Sequence, residues 1–209
     1  AHPGNALRAA LAARSYRREL IIMVVTSHRM LPTLQAIANL QRLGLEHILI
    51  ISTDARECAR VAAALPRLGC VWDTFQLPMT GEDIDVVVPV APLWHTRWRT
   101  LARALRLQYN VLCMDSDVIV FDDPYRYLKQ PPFSEYVILD QPEVLYHQDE
   151  YAGNTYTNGG IVYIQNARPD GPAAWLVAEV SDRLLRWVED NFTLTRARGM
   201  QTWCCYLDQ

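Results

Sequence analysis

The sequence predicts an α/β fold with a mixed, mostly parallel sheet covered by helices on both faces. Three observations predict it. Short, continuous apolar runs recur along the chain, as in strands buried on both sides. Segments of helical period separate them. The strand and helix signals also alternate, which implies crossover connections between parallel neighbours. The 209 residues, half of them hydrophobic, suit a single domain over 1–209 with a substantial core.

The first strand is expected over 20–25, the run Leu-Ile-Ile-Met-Val-Val. A helix follows over 31–43, with Leu34, Ile37, Ala38 and Gln41 at spacings of three and four, and Gly44 ends it. Residues 47–52 read as a second buried strand. Asp54 is placed to cap a helix over 55–65, which Pro66 stops. A third strand is expected over 70–75, then a loop over 76–92. A helix over 93–107 carries Trp94, Trp98, Leu101 and Leu105 as its apolar stripe, with Arg97, Arg99, Arg103 and Arg106 mostly off it. Residues 111–114 form the next strand, and 136–139 and 161–164 are further candidates. A long helix over 173–191 presents Leu176, Val180, Leu184, Trp187 and Val188 on one side, with Trp175 also read as core. A last helix is expected over 199–207.

Composition excludes several function classes. The formal net charge of −3 gives no electrostatic footprint for nucleic acid. No stretch of 18 apolar residues exists to span a membrane, and Arg8 interrupts the apolar segment 7–13, against a signal peptide. The ends read as cut, so the chain is expected to be part of a longer protein, truncated at its C-terminus. The five cysteines show no CxxC spacing, which argues against a zinc site. Cys58 and Cys70 could pair in an oxidising compartment, although spacing does not establish the geometry. Cys113 lies in an apolar run and reads as a small core residue.

The chemistry concentrates at Asp115-Ser116-Asp117, directly after the apolar Val111-Leu112-Cys113-Met114. Ligands of such sheets bind beyond the carboxyl ends of the strands. If the backbone stays extended, Asp115 and Asp117 project to one face, and two acids so close favour a cation between them. Hard oxygen ligands suit Mn²⁺ or Mg²⁺, which keep positions open for phosphate oxygens. Neither GxGxxG nor GxxxxGK[ST] is present. Arg97, just before this strand, could meet a diphosphate or a base through its fork of donors, or could be a solvated helix position. Thr26 and Ser27 end the first strand and are candidates for nucleotide contact.

The block "LRLQYNVLCMDSDVIVFDDP", residues 105–124, resembles the central motif of the nucleotide-diphospho-sugar transferases of glycosyltransferase family 77. Gln108 stands where that family usually has Gly. The segment "VVTSHRMLPTLQAIANLQRLGLEHILIIS" resembles the family's opening, Asn158-Gly159-Gly160-Ile161-Val162-Tyr163 its Asn-Thr/Gly-Gly strand, and Asp208-Gln209 its Asp-Gln pair. The resemblance implies a GT-A type, Rossmann-like fold and a sugar transfer with retention of configuration. It assigns Asp115 to metal or ribose contact and Asp117 to metal, with Ser116 in the same donor-binding loop. It puts Asn158, Gly159 and Gly160 near the donor sugar, Asp140 and Gln141 after a strand on the same rim, and Asp208 and Gln209 near the reacting carbon. A further metal ligand is expected beyond Gln209. The activity implied is transfer from a UDP-sugar to a hydroxyl of a glycan or glycoprotein, in the Golgi or another secretory-pathway lumen. The alternatives are a non-catalytic sugar-nucleotide-binding or interaction domain of the same fold, and a DxD phosphohydrolase.

Overall fold

In the computed structural model the described residues are 3–25, 29–73, 91–143 and 156–189. Among them six strands form one sheet: β1 (Glu19–Val25), β2 (Ile48–Ser52), β3 (Gly69–Trp72), β4 (Asn110–Met114), β5 (Ile138–Glu143) and β6 (Tyr156–Ile164). Their order is β3-β2-β1-β4-β6-β5. The first four are mutually parallel, with Met23 of β1 opposite Met114 of β4. β6 runs antiparallel to both β4 and β5. The helices are α1 (Pro3–Arg14), α2 (Met30–Arg42), α3 (Ala55–Ala64), α4 (Ala91–Arg106), the short α5 (Tyr125–Leu128) and α6 (Pro172–Glu189).

The apolar runs form strands because both of their faces are covered. Along β1, Leu20, Ile22 and Val24 enter one core with Leu7 and Leu11 of α1, Leu101 and Leu105 of α4, and Val177 of α6. Ile21, Met23 and Val25 enter the other, with Ile37 and Leu40 of α2 and Val61 of α3. A six-residue run without a polar position therefore satisfies the strand's period of two on each side.

Several elements differ from expectation. α1 has no counterpart among the expected elements; Leu7 and Leu11, one turn apart, are its core contacts. Among the described side chains of α6, the small Ala173, Ala174, Val177 and Ser181 are buried, Val180 is half-buried, and Trp175 and Leu176 are exposed; the side chains of Leu184, Trp187 and Val188 lie outside the described residues. Trp175 is thus a surface residue, and over 173–181 the helix meets the core through small side chains. β5 begins at Ile138 and continues through Asp140 and Gln141, which lie within the strand, not after it. The expected helix over 199–207 lies outside the described residues. Cys58 of α3 and Cys70 of β3 form a disulfide.

Candidate functional site

The parallel strands β1 to β4 end at one edge of the sheet. β1 connects through α2 to β2 on one side, while β4 lies on the other, so the order reverses between β1 and β4. A crevice at such a reversal is where open α/β sheets take their ligands. Asp115 follows β4 at this point. Thr26 and Ser27, which follow β1, lie outside the described residues.

Beyond Met114 the chain turns. The Val118 amide donates to the Asp115 carbonyl at 3.4 Å, closing Asp115-Ser116-Asp117-Val118 into a turn. The expectation that extended backbone aligns the two carboxylates therefore does not hold; a turn presents them instead. Asn39 of α2 fixes the far side of this loop. Its side chain donates to the Val120 carbonyl and accepts from the Val120 amide, each at 2.9 Å. Val118 and Val120 pack into the core, while Asp117, Ile119 and Phe121 are exposed.

Asp115 is held from below by Arg97. The guanidinium is buried, at 5% exposure, on the same face of α4 as Leu101, Ala104 and Leu105. The expected placement of Arg97 off the apolar stripe is corrected accordingly. Its Nη1 donates to Asp115 Oδ1 at 2.9 Å, its Nε to Cys113 Sγ at 3.1 Å, and its Nη2 to the Gly159 carbonyl. The Asp115 side chain remains 48% exposed. Burial pushes the Cys113 thiol up, which keeps it neutral beside the guanidinium.

β6 brings the glycines to the same place. The Asp115 amide donates to the Gly160 carbonyl at 2.8 Å. The Asn158 side chain accepts from the Gly160 amide at 2.7 Å. A Cβ on Gly160 would lie 2.7 Å from Asn158 Oδ1 and 3.3 Å from Asp115 Oδ2, so no side chain fits between the two. The pairing of β5 with β6 is irregular here. Asp140 pairs with Val162, yet Gln141 pairs with Asn158, which frees the Asn-Gly-Gly segment to approach β4. Asp140 is exposed on the edge strand and Gln141 is the strand neighbour of Asn158. Asp208 and Gln209 lie outside the described residues.

A fold of this order, with an acid-bearing turn at the reversal point, agrees with the family comparison. The sequence model of the nucleotide-diphospho-sugar transferase family matches residues 43–202. The chain belongs to that family. The matched span begins before β2 and contains Arg97, the Asp115–Asp117 turn and the Asn158–Gly160 segment of this transferase. No curated protein gives a significant match to the chain.

The donor set fits a hard divalent ion in part. The exposed Asp117 and the half-exposed Asp115 offer carboxylate oxygens. Among the described residues no group of three or more His, Cys, Asp or Glu gathers as a metal cage. An ion bound here would complete its shell with waters and phosphate oxygens, as Mg²⁺ and Mn²⁺ do. Arg97 already balances the charge of Asp115, so repulsion between the two acids is a weaker argument for a cation than their exposure and oxygen chemistry. The sequence reading missed both the Arg97–Asp115 pair and the role of Cys113 as an acceptor. Their signal was the spacing of Arg97 from Leu101, Ala104 and Leu105.

Proposed function

We propose that this chain binds the donor of a metal-dependent, retaining glycosyltransferase of the family 77 type. It would move a sugar from a UDP-sugar to a hydroxyl of a glycan or glycoprotein. The observation that carries the reading is the Asp115-Ser116-Asp117 turn at the strand-order reversal, within a chain of the nucleotide-diphospho-sugar transferase family. Asp117, exposed in the turn, would hold Mn²⁺ or Mg²⁺, and Asp115 would contact the ion or the ribose. The bound ion would offset the charge that develops on the departing diphosphate. Thr26 and Ser27 would meet the nucleotide at the end of β1. Asn158, Gly159 and Gly160 would line the sugar, where missing side chains let the backbone approach it. Asp140, Asp208 and Gln209 are assigned to the reacting end by resemblance. No general base stands out, in keeping with a front-face transfer in which the leaving phosphate takes the acceptor's proton. Positioning and charge stabilisation would then supply most of the rate. The Cys58–Cys70 disulfide supports a secretory-pathway lumen such as the Golgi.

A second reading, a sugar-nucleotide-binding domain without turnover, is favoured by the Arg97–Asp115 ion pair, which among the described residues leaves only Asp117 with an unmatched charge in the motif. The family assignment sets the phosphohydrolase reading aside. Calorimetric titration with UDP and Mn²⁺ tests what both remaining readings share. Mn²⁺-dependent UDP binding that Asp117→Ala abolishes is expected, and binding indifferent to that change would refute the assignment. Release of UDP from a UDP-sugar in the presence of an acceptor then separates enzyme from binder.

A further inference from the structure

We propose that Arg97 is a positioning residue of the donor site, holding the Asp115 carboxylate and the Gly159 carbonyl in one fixed relation. The inference rests on the donor-site reading above and assigns Arg97 to protein groups rather than to the donor. Its guanidinium reaches Cys113 Sγ on β4 at 3.1 Å, Asp115 Oδ1 just beyond β4 at 2.9 Å, and the Gly159 carbonyl on β6. These strands, β4 and β6, are the ones that bring the acidic turn and the Asn-Gly-Gly segment together. The planar fork of an arginine sets the angle between its partners, which the point charge of a lysine does not.

The other side of the carboxylate is equally confined. Asp115 Oδ2 faces Gly160, at 3.3 Å from where a Cβ would stand, and the Gly160 amide is tied to Asn158 Oδ1 at 2.7 Å. Arg97 thus acts on both halves of the site, the acid proposed for the ion or ribose and the segment proposed for the sugar. Charge matching alone does not explain the arrangement. The Asp115 side chain is 48% exposed and water could solvate it, whereas the Arg97 side chain is 6% exposed and carries the desolvation. What the pair supplies beyond charge is the orientation of one carboxylate at a site where orientation governs affinity.

The test compares the full 209-residue chain with Arg97→Lys and Gly160→Ala, titrating UDP in Mn²⁺ and again in EDTA, with melting temperatures alongside. Wild type should bind UDP more tightly in Mn²⁺. Arg97→Lys should lose about tenfold or more of the Mn²⁺-supported affinity, the usual effect of removing a group that orients a metal ligand, while its affinity in EDTA stays unchanged. Gly160→Ala keeps the guanidinium but crowds the same carboxylate, and the same selective loss is expected of it. That second variant decides the matter if Arg97→Lys does not fold. Retention of the full Mn²⁺ enhancement by the folded variants would overturn the proposal. So would equal losses in Mn²⁺ and EDTA that track melting temperature, which mark a merely structural role. An Arg97→Lys that binds Mn²⁺ and UDP normally but loses only the UDP-sugar would point instead to direct donor contact. If wild type itself shows no Mn²⁺-dependent UDP binding, the donor-site reading fails and this proposal with it.

Discussion

Gln108 and Gly44 end their helices in the same way. After α2, the Gly44 amide donates to the Gln41 carbonyl and the Leu45 amide to Leu40, with Gly44 at φ +79°. After α4, the Gln108 amide donates to Leu105 and the Tyr109 amide to Ala104, with Gln108 at φ +62°. This motif favours glycine at the left-handed position. Gln108 takes it with a side chain, held by Arg18 Nε donating to its carbonyl at 2.8 Å. The left-handed conformation costs about 1–2 kcal/mol for a residue with a Cβ, and glycine's own entropy offsets part of that. Gln108→Gly is therefore expected to raise stability by about 0.5–1 kcal/mol, read from urea unfolding; a loss of stability would contradict the strain argument. The sequence flagged this position only as a departure from the related family's glycine. The spacing of Arg97 from Leu101, Ala104 and Leu105 puts it on the buried face of α4, but the acceptors that hold it there have no periodicity to show them. Asp115 and Asp117 were legible as a motif, but their turn was not, since alternation of side chains holds only while the strand continues.

At the scale of elements, the buried strands were the most legible, because a run such as Leu20 to Val25 has no other comfortable environment than a sheet covered on both sides. α6 was placed correctly, and of its expected stripe Leu176 is exposed and Val180 half-buried, while the side chains of Leu184, Trp187 and Val188 lie outside the described residues. Over its described side chains the inward face is Ala173, Ala174, Val177 and Ser181, small residues that carry little hydrophobic signal yet allow close helix packing. The irregular register of β5 against β6 depends on tertiary contact with β4 and has no local signature in the sequence. The pairing of Cys58 with Cys70 was open until α3 and β3 were seen side by side. The bridge closes a loop with a sequence separation of 12. Replacing both cysteines with alanine should lower stability by about 3 kcal/mol by releasing that constraint on the unfolded chain. The check is urea unfolding of the variant, and an unchanged midpoint would mean that the bridge does not form in solution.

Across the whole molecule the two edges of the sheet differ in character. At the amino ends of β1 and β2, polar groups are spent on one another. Glu19 accepts from Asn110 at 2.6 Å and from the Tyr163 hydroxyl at 3.0 Å, and pairs with Lys129 at 2.5 Å. His47 meets the Tyr125 hydroxyl at 3.0 Å, and burial holds its proton affinity below the usual value. At the carboxyl ends, by contrast, Asp115 is half open and Asp117 exposed. No helix among the described residues is long and apolar enough to cross a membrane. The paired polar groups thus lie at one edge, around a cavity of about 610 Å³ lined in part by Glu19, His47 and Tyr125, and the exposed acids lie at the other. A crystal of the chain grown with UDP and Mn²⁺, with the manganese located by its anomalous scattering, tests the donor-site assignment most directly. The account predicts manganese against the Asp117 carboxylate, with the diphosphate in front of the β1–β4 edge. Manganese and nucleotide bound away from the Asp115–Asp117 turn would contradict it.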